Sequence, residues 1–232
     1  MVKIIGTTPS RTRRLNDEEL FALWRATDRM KYPLGPLYRM LLLTGLRLNE
    51  AARVSWPEVY GDHIVIAAER MKGKNGKARE HLVPLSSTAL GLIASLPRYR
   101  GAPFLFSLSA GKRPLAMTNE IKRNLDRRML RTLKAMARRR ARERGDDPHS
   151  VELEEWHTHD LRRVLRSGLS ALRIPHNVAE AVLAHARPGI VGVYDVHTYQ
   201  DEKREALEAW AQRLKSIVEP VPDNVVPLRA RR

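Results

Sequence analysis

Cysteine is absent from this chain of 232 residues, so disulfides and thiolate metal sites are both excluded. Also missing are a signal peptide and any apolar run long enough to cross a membrane. A cytoplasmic location is the resulting expectation. Acidic side chains are the scarce charge: 26 Asp and Glu stand against 42 Lys and Arg, for a net charge of +16. An excess of that size makes a polyanion the default partner, nucleic acid ahead of a membrane surface. Charge alone specifies no reaction. The length suits one large domain or two small ones, and a domain of this size hides roughly 70% of its unfolded surface.

What is present is concentrated between His157 and Tyr199. His159 and Arg162 stand three apart and share a face if the segment is helical. Leu161, Leu165, Leu169 and Leu172 then form one apolar stripe, as a buried helix requires. Pro175 interrupts that helix. Asn177 followed by Glu180 resembles a capping box that opens a second helix, burying Val178, Ala181 and Val182 and ending near His185. Tyr194 comes nine residues later, beyond the breaker pair Pro188–Gly189. Singly, each of these has an ordinary explanation: arginines line solvated faces, and lone histidines are often satisfied core residues. The conjunction is more specific than its members.

A second stretch precedes it. The apolar helix Leu37–Leu43 runs into Thr44-Gly45-Leu46-Arg47-Leu48-Asn49-Glu50. Gly45 permits a sharp turn at the helix end, so Arg47 emerges where two helices meet, with Glu50 one turn on. As an ordinary i,i+3 surface pair, Arg47 and Glu50 would contribute only about 0.3 kcal/mol.

In order, Thr-Gly-x-Arg-x-x-Glu, His-x-x-Arg, Leu-x-His and the following tyrosine resemble the two active-site boxes of the tyrosine recombinases, the phage and prophage integrase family. The segments Tyr194–Tyr199 and Glu202–Leu207 are similar to integrases of temperate phages and genomic islands. The resemblance implies an α+β, mainly α-helical catalytic-domain fold with a small antiparallel β-sheet. It implies catalytic roles for Arg47, His159, Arg162 and His185 around a DNA phosphate, with Tyr194 as nucleophile and Glu50 in support. His63–Ile66 reads as a strand and Leu82–Leu85 as its partner, with the turn signal Asn75-Gly76 between them. The family carries its catalytic lysine on such a hairpin. The turn is a few residues longer here than the usual pattern, so Lys72 is favoured and Lys74 stands second.

Two arginines suit a phosphodiester because their paired donors match its non-bridging oxygens. They stabilise most where charge develops during attack. The histidines add donors or handle the nucleophile's proton, and the lysine protonates the leaving 5′-oxygen. The resemblance implies a covalent 3′-phosphotyrosyl intermediate, hence strand exchange that is reversible without ATP, metal or other cofactor. A metal-dependent nuclease is the rival enzyme reading. It fits poorly, because His157 and His159 are two apart and no His-Glu-x-x-His occurs. The non-enzyme alternative is an idle or truncated integrase remnant that only binds DNA.

Elsewhere, Asn16 and Glu19 form a capping box before a helix that turns Leu20, Leu23 and Trp24 to one side. Pro33, Gly35 and Pro36 separate it from the apolar helix. Ser86–Leu96 reads as a short helix capped by Ser86 or Ser87, and Pro103–Phe106 as a further strand. From Asn119 a helical pattern begins, with Met129, Leu130, Leu133 and Met136 as its apolar stripe. Its basic run, Arg127 to Arg144, makes Arg131, Lys134, Arg138 and Arg139 candidate DNA-backbone contacts, together with Lys74 and Lys77 of the hairpin. Glu202–Val218 is a helix whose Leu207, Trp210, Leu214 and Val218 dock on their own domain or on a neighbour.

The expected organisation is an arm or linker at 1–12, a catalytic domain at 13–218 and a flexible tail at 219–232. Family members usually carry a helical DNA-clamping domain before the first box, where this chain shows only a short arm. The partner implied is double-stranded DNA, with a tetrameric synapse on DNA in full-length relatives and a monomer when isolated. Two positions depart from the family pattern: Val164 replaces a common Thr, and Ala184 stands where Gly usually precedes the histidine. Tyr199 also follows His185, but it falls just before the charged helix and is expected to pack under the helix start.

Overall fold

A computed structural model describes residues 13–71, 79–144, 151–185 and 197–220. The fold is mostly helical with one small sheet. Helix α1 (Asp17–Met30) starts as expected: Glu19 N–H donates to Asn16 Oδ1, and Asn16 N–H donates to Glu19 Oε2, both at 2.9 Å. Leu20, Leu23 and Ala26 are buried, whereas Trp24 lies half-covered beneath the Arg39 guanidinium, 4.3 Å away.

Helix α2 (Leu34–Thr44) is the centre of the molecule. Leu37, Tyr38 and Met40 through Leu43 are all buried, and α1, α4, α6 and α8 pack around it. It begins earlier than its sequence suggests, with Gly35 and Pro36 inside the first turn. A first-turn residue needs no backbone N–H for the helix ladder, so Pro36 is accommodated there. The short α3 (Leu48–Ala52) follows.

Strands β1 (Val59–Tyr60), β2 (His63–Ile66) and β3 (His81–Pro84) form an antiparallel sheet in that order. The β2–β3 register runs from His63 opposite Pro84 to Ile66 opposite His81. Ile64, Ile66 and Val83 face the core. The strand expected at Pro103–Phe106 is absent; Phe104 makes a single bridge to Ser55. Its backbone partners alternate instead: Pro103 O and Leu105 N–H bond Trp56 and Val54, while Phe104 N–H and Phe106 O bond Gly111 and Leu115. These bonds amount to one isolated bridge and no ladder, although Leu105 and Phe106 are fully buried.

Helix α4 (Ser87–Ala94) is capped by Ser86, whose Oγ accepts from Ala89 N–H at 3.3 Å. Helix α5 (Asn119–Arg144) spans 26 residues and packs chiefly on α1. Its buried stripe is Leu125, Met129, Leu133 and Ala137, with Leu130 and Met136 only partly covered. That is a rotation from the expected stripe. A helix laid along one neighbour buries a narrow i,i+4 row.

Helix α6 (Asp160–Ala171) buries Leu161, Val164, Leu165 and Leu169. Helix α7 (His176–Val182) buries Val178, Ala179 and Val182. The expected capping box at Asn177 does not form. The helix starts two residues earlier, capped by Pro175, and Asn177 Nδ2 instead donates to Tyr199 Oη at 2.8 Å. The last helix, α8 (Gln200–Val218), begins two residues ahead of its expected start and lies across α1, α2, α6, α7 and β3. Its stripe docks on this same chain, with Leu207, Trp210, Leu214 and Val218 buried. Among the described residues, no helix is long and apolar enough to cross a membrane.

One contact fixes α8. Trp210 Nε1–H donates 2.9 Å to Leu42 O, a carbonyl in the last turn of α2 that its own helix leaves open. The indole reaches it by lying on Gly168 of α6, where a Cβ would meet Trp210 Cζ3 at 2.2 Å. Gly168→Ala is therefore expected to destabilise the fold by about 1–3 kcal/mol through overpacking. Urea unfolding of the two proteins under identical conditions measures the difference.

Candidate active site

The site is built from helix ends. Helix α2 terminates at Gly45, whose φ of 67° lies in the left-handed region and whose N–H bonds Leu41 O at 2.9 Å. That φ is one L side chains rarely adopt, and a Cβ there would also press on Leu183 Cδ2 at 2.8 Å. Two residues on, Arg47 caps α3. Buried Glu50 holds it at both ends, accepting from Arg47 N–H at 2.8 Å and from Arg47 Nη1 at 2.7 Å. The pair is thus more than a surface contact, since its carboxylate is 5% exposed.

Arg162 enters from α6 and is buried. Nη1 donates to Gly45 O and Nη2 to Leu183 O, so one guanidinium ties the loop bearing Arg47 to the loop bearing His185. Burial, then the charge of Arg47, lowers its pKa to about 10. It stays cationic at neutral pH. His159 stands at the N-terminus of α6. Burial and the charges of Arg162 and Arg163 hold its pKa below the usual histidine value.

The end of α7 explains where His185 sits. His185 N–H bonds Glu180 O at 3.0 Å and Ala184 N–H bonds Ala181 O at 3.1 Å. This is the Schellman pattern, with Ala184 in the left-handed position at φ 47°. Glycine ordinarily occupies that position, and alanine there is strained. The His185 ring turns back so that Nδ1 lies 2.5 Å from Glu180 Oε2. Glu180, read from the sequence as a cap, also takes Arg166 Nε on its other oxygen at 2.6 Å. Burial pushes the Glu180 carboxyl up, but hydrogen bonds from Arg166 and His185 outweigh it, and the pKa is lowered.

His159, Arg162 and His185 converge on one groove of about 310 Å³, lined also by Arg14, Arg163, Arg166, Ser167 and Leu183. Arg47 does not line the groove but stands close enough to Arg162 to lower its pKa. Two buried groups beside the arginines escaped the sequence reading. His81 opens β3 and bonds the backbone of Val182; burial first, then Lys203, Arg162 and Arg47, lowers its pKa to about 3. Lys203 of α8 donates from Nζ to Leu82 O at 2.8 Å. The available signal was the period-2 pattern of β3, which places His81 on the same face as buried Val83.

Lys72, Lys74, Lys77 and Tyr194 lie outside the described residues, as does the Asn75-Gly76 turn. Tyr199 is partly buried at the start of α8 and packs against the core. On α5, Arg131, Arg138 and Arg139 are exposed and Lys134 is half-buried, all well along the helix from its acidic start. Part of the helix's basic surface is engaged within the chain: Glu120 pairs with Arg123 and Arg127, and Glu18 of α1 with Arg140.

Residues 13–201 match the family model described as the phage integrase family. The prophage integrase IntZ of Escherichia coli is 28% identical over 204 residues, covering 86% of this chain and 44% of that protein. The chain thus spans less than half the length of this relative. Among solved structures, the integrase from mycobacterium phage Brujita superposes with a TM-score of 0.57 at 13% identity, over 93% of this chain and 67% of that one. A lambda integrase fragment, solved as a dimer bound to a COC′ core site, gives 0.52 at 16% identity, over 80% of this chain and 62% of that one. At these identities the likeness is one of fold.

Two outcomes follow from the geometry. Ala184→Gly relieves left-handed strain and is expected to raise stability by about 1 kcal/mol, read as a higher urea midpoint. His81, with its pKa at about 3 against an ordinary 6.5, takes up a proton on unfolding whenever the pH lies between those values. Its contribution is complete above about pH 6.5 and is lost as pH falls, at up to about 1.4 kcal/mol per pH unit. Unfolding free energies at about pH 7 and about pH 5 are expected to differ less in His81→Gln than in the parent protein.

Proposed function

The chain belongs to the phage integrase family, and on that premise we propose that it is the catalytic part of a site-specific DNA recombinase. It cuts and rejoins strands through a covalent 3′-phosphotyrosyl intermediate, with no requirement for metal or ATP. The observation that carries this reading is the convergence of Arg162, His159 and His185 on one groove, with Arg47 near enough to Arg162 to lower its pKa. Three helix ends supply them: the start of α3 gives Arg47, the start of α6 both His159 and Arg162, and the end of α7 His185.

Each group has a task in the reaction. A guanidinium has five donors; Arg162 anchors itself with two of them and turns remaining ones toward a phosphate. Arg47 adds a second fork, steadied by Glu50. Together they stabilise the charge that grows on the non-bridging oxygens as phosphorus is attacked. Tyr194 Oη forms the new P–O bond, the 5′-oxygen leaves with the bonding pair, and Lys72 or Lys74 gives that oxygen its proton. The phenolic proton passes to a histidine of the groove, for which neutral His159 is suited by its lowered pKa. Return of a 5′-hydroxyl reverses every step, so bond energy is conserved on Tyr194.

The domain runs over 13–218, with residues 1–12 ahead of it and 219–232 behind. Double-stranded DNA is the partner, engaged along its phosphates by Lys74, Lys77, Arg131, Lys134, Arg138 and Arg139. The protein is a monomer in isolation, self-associates on DNA, and works in the cytoplasm.

Nicked duplexes of randomised sequence trap such an intermediate, because the cleaved 5′ fragment diffuses away. A protein–DNA adduct resistant to denaturation is expected, mapping to Tyr194 by peptide analysis. Tyr194→Phe abolishes it and leaves DNA binding unchanged, whereas Tyr199→Phe retains it. DNA binding without any adduct from the unmodified protein would instead favour the idle, DNA-binding alternative.

A further inference from the structure

We propose that Glu180 is a positioning residue for His185: its carboxylate holds the ring's Nδ1–H, so Nε2 is the atom presented to a DNA phosphate in the groove. The proposal rests on the recombinase reading for its consequence, but not for its geometry.

His185 Nδ1 and Glu180 Oε2 lie 2.5 Å apart. An ionised carboxylate only accepts hydrogen bonds, so the proton between them belongs to the imidazole. Of the two ring nitrogens, Nδ1 is therefore committed and Nε2 remains available at the groove that His185 lines. Neutral imidazole in water favours the opposite arrangement, with the proton on Nε2. Glu180 reverses that preference by its position.

Glu180 is itself fixed on both oxygens. Arg166 Nε donates to Oε1 at 2.6 Å, and Arg166 is in turn held by Ser170 Oγ at 2.6 Å and His176 Nδ1 at 2.9 Å. The main chain repeats the constraint, since His185 N–H bonds Glu180 O at 3.0 Å. Backbone and side chain of residue 185 are thus both referred to residue 180. The local turn brings the two together at a spacing of five, which is why an N-terminal capping role for Glu180 is lost. A free Nε2 has a definite use: neutral, it accepts the nucleophile's proton; protonated, it donates to a non-bridging oxygen.

Long-range 1H–15N spectra of the unmodified protein are expected to show His185 with its neutral proton on Nδ1. In Glu180→Ala the signature moves to the Nε2–H form, and adduct formation on the nicked substrate slows about 10–100-fold, the size seen when the outer partner of a metal-ligating histidine is removed. Glu180→Gln keeps an accepting oxygen, so it retains the Nδ1–H signature and recovers most of the rate. A residue that acts only through His185 adds nothing once that histidine is gone, so Glu180→Ala with His185→Ala matches His185→Ala alone. An unchanged His185 signature in Glu180→Ala, or fully multiplying losses in the double variant, overturns the proposal. If the signature moves as expected but the unmodified protein forms no adduct, the positioning stands and the recombinase reading fails.

Discussion

The buried guanidinium of Arg162 is the constraint on which the site depends. An isolated charge cannot be taken out of water cheaply, and this one is 4% exposed. Two helix-end carbonyls compensate it, Gly45 O and Leu183 O, with the carboxylates of Glu50 and Glu180 close enough to favour its charged form. The dependence is mutual. Those carbonyls belong to helix termini that leave acceptors unsatisfied, and a buried acceptor without a partner costs about 1–3 kcal/mol. Lysine in place of Arg162 offers one compact donor group and cannot reach both in the same fork.

Helix ends recur throughout the site because they place polar groups at the edge of a rigid body. Gly45 turns α2 sharply enough to deliver Arg47 at the start of α3, and the Schellman turn of α7 delivers His185. His159 and buried Asp160 open α6, with Asp160 Oδ2 accepting from His157 N–H at 2.8 Å. Its N-terminal dipole adds to a positive field already supplied by arginines. The groove attracts anions by design of its backbone as well as its side chains.

Helix α8 closes the arrangement from the far side. Trp210 completes the last turn of α2, Lys203 bonds Leu82 O of β3, and Glu208 accepts from both Ser87 N–H and Ser87 Oγ at 2.7 Å. Each contact joins a different layer to the same helix. His81 lies where β3, α7 and α8 meet, and it is kept neutral by burial among cations. A second charge at that point would oppose Arg162 directly.

Much of this was legible in the residues alone. The periods of Leu161, Leu165 and Leu169, the box at Asn16 and Glu19, and the pairing of His63–Ile66 with the strand before Ser86 follow from spacing along the chain. The Arg47–Glu50 pair does too, because three residues apart on a turn is a local relation. Other features depended on which distant element arrives alongside. Asn177 and Glu180 have the spacing of a cap, yet Tyr199, Arg166 and His185 claimed them; α5 turned its stripe to fit α1; Pro103–Phe106 found two alternating partners and made no ladder. Arg162 reaches a carbonyl 117 residues away, and nothing in its neighbourhood along the chain names that acceptor. Sequence determines which groups share a face and which turns are permitted. Only packing decides which donor meets which acceptor, because that choice is made between elements whose separation along the chain carries no geometric information.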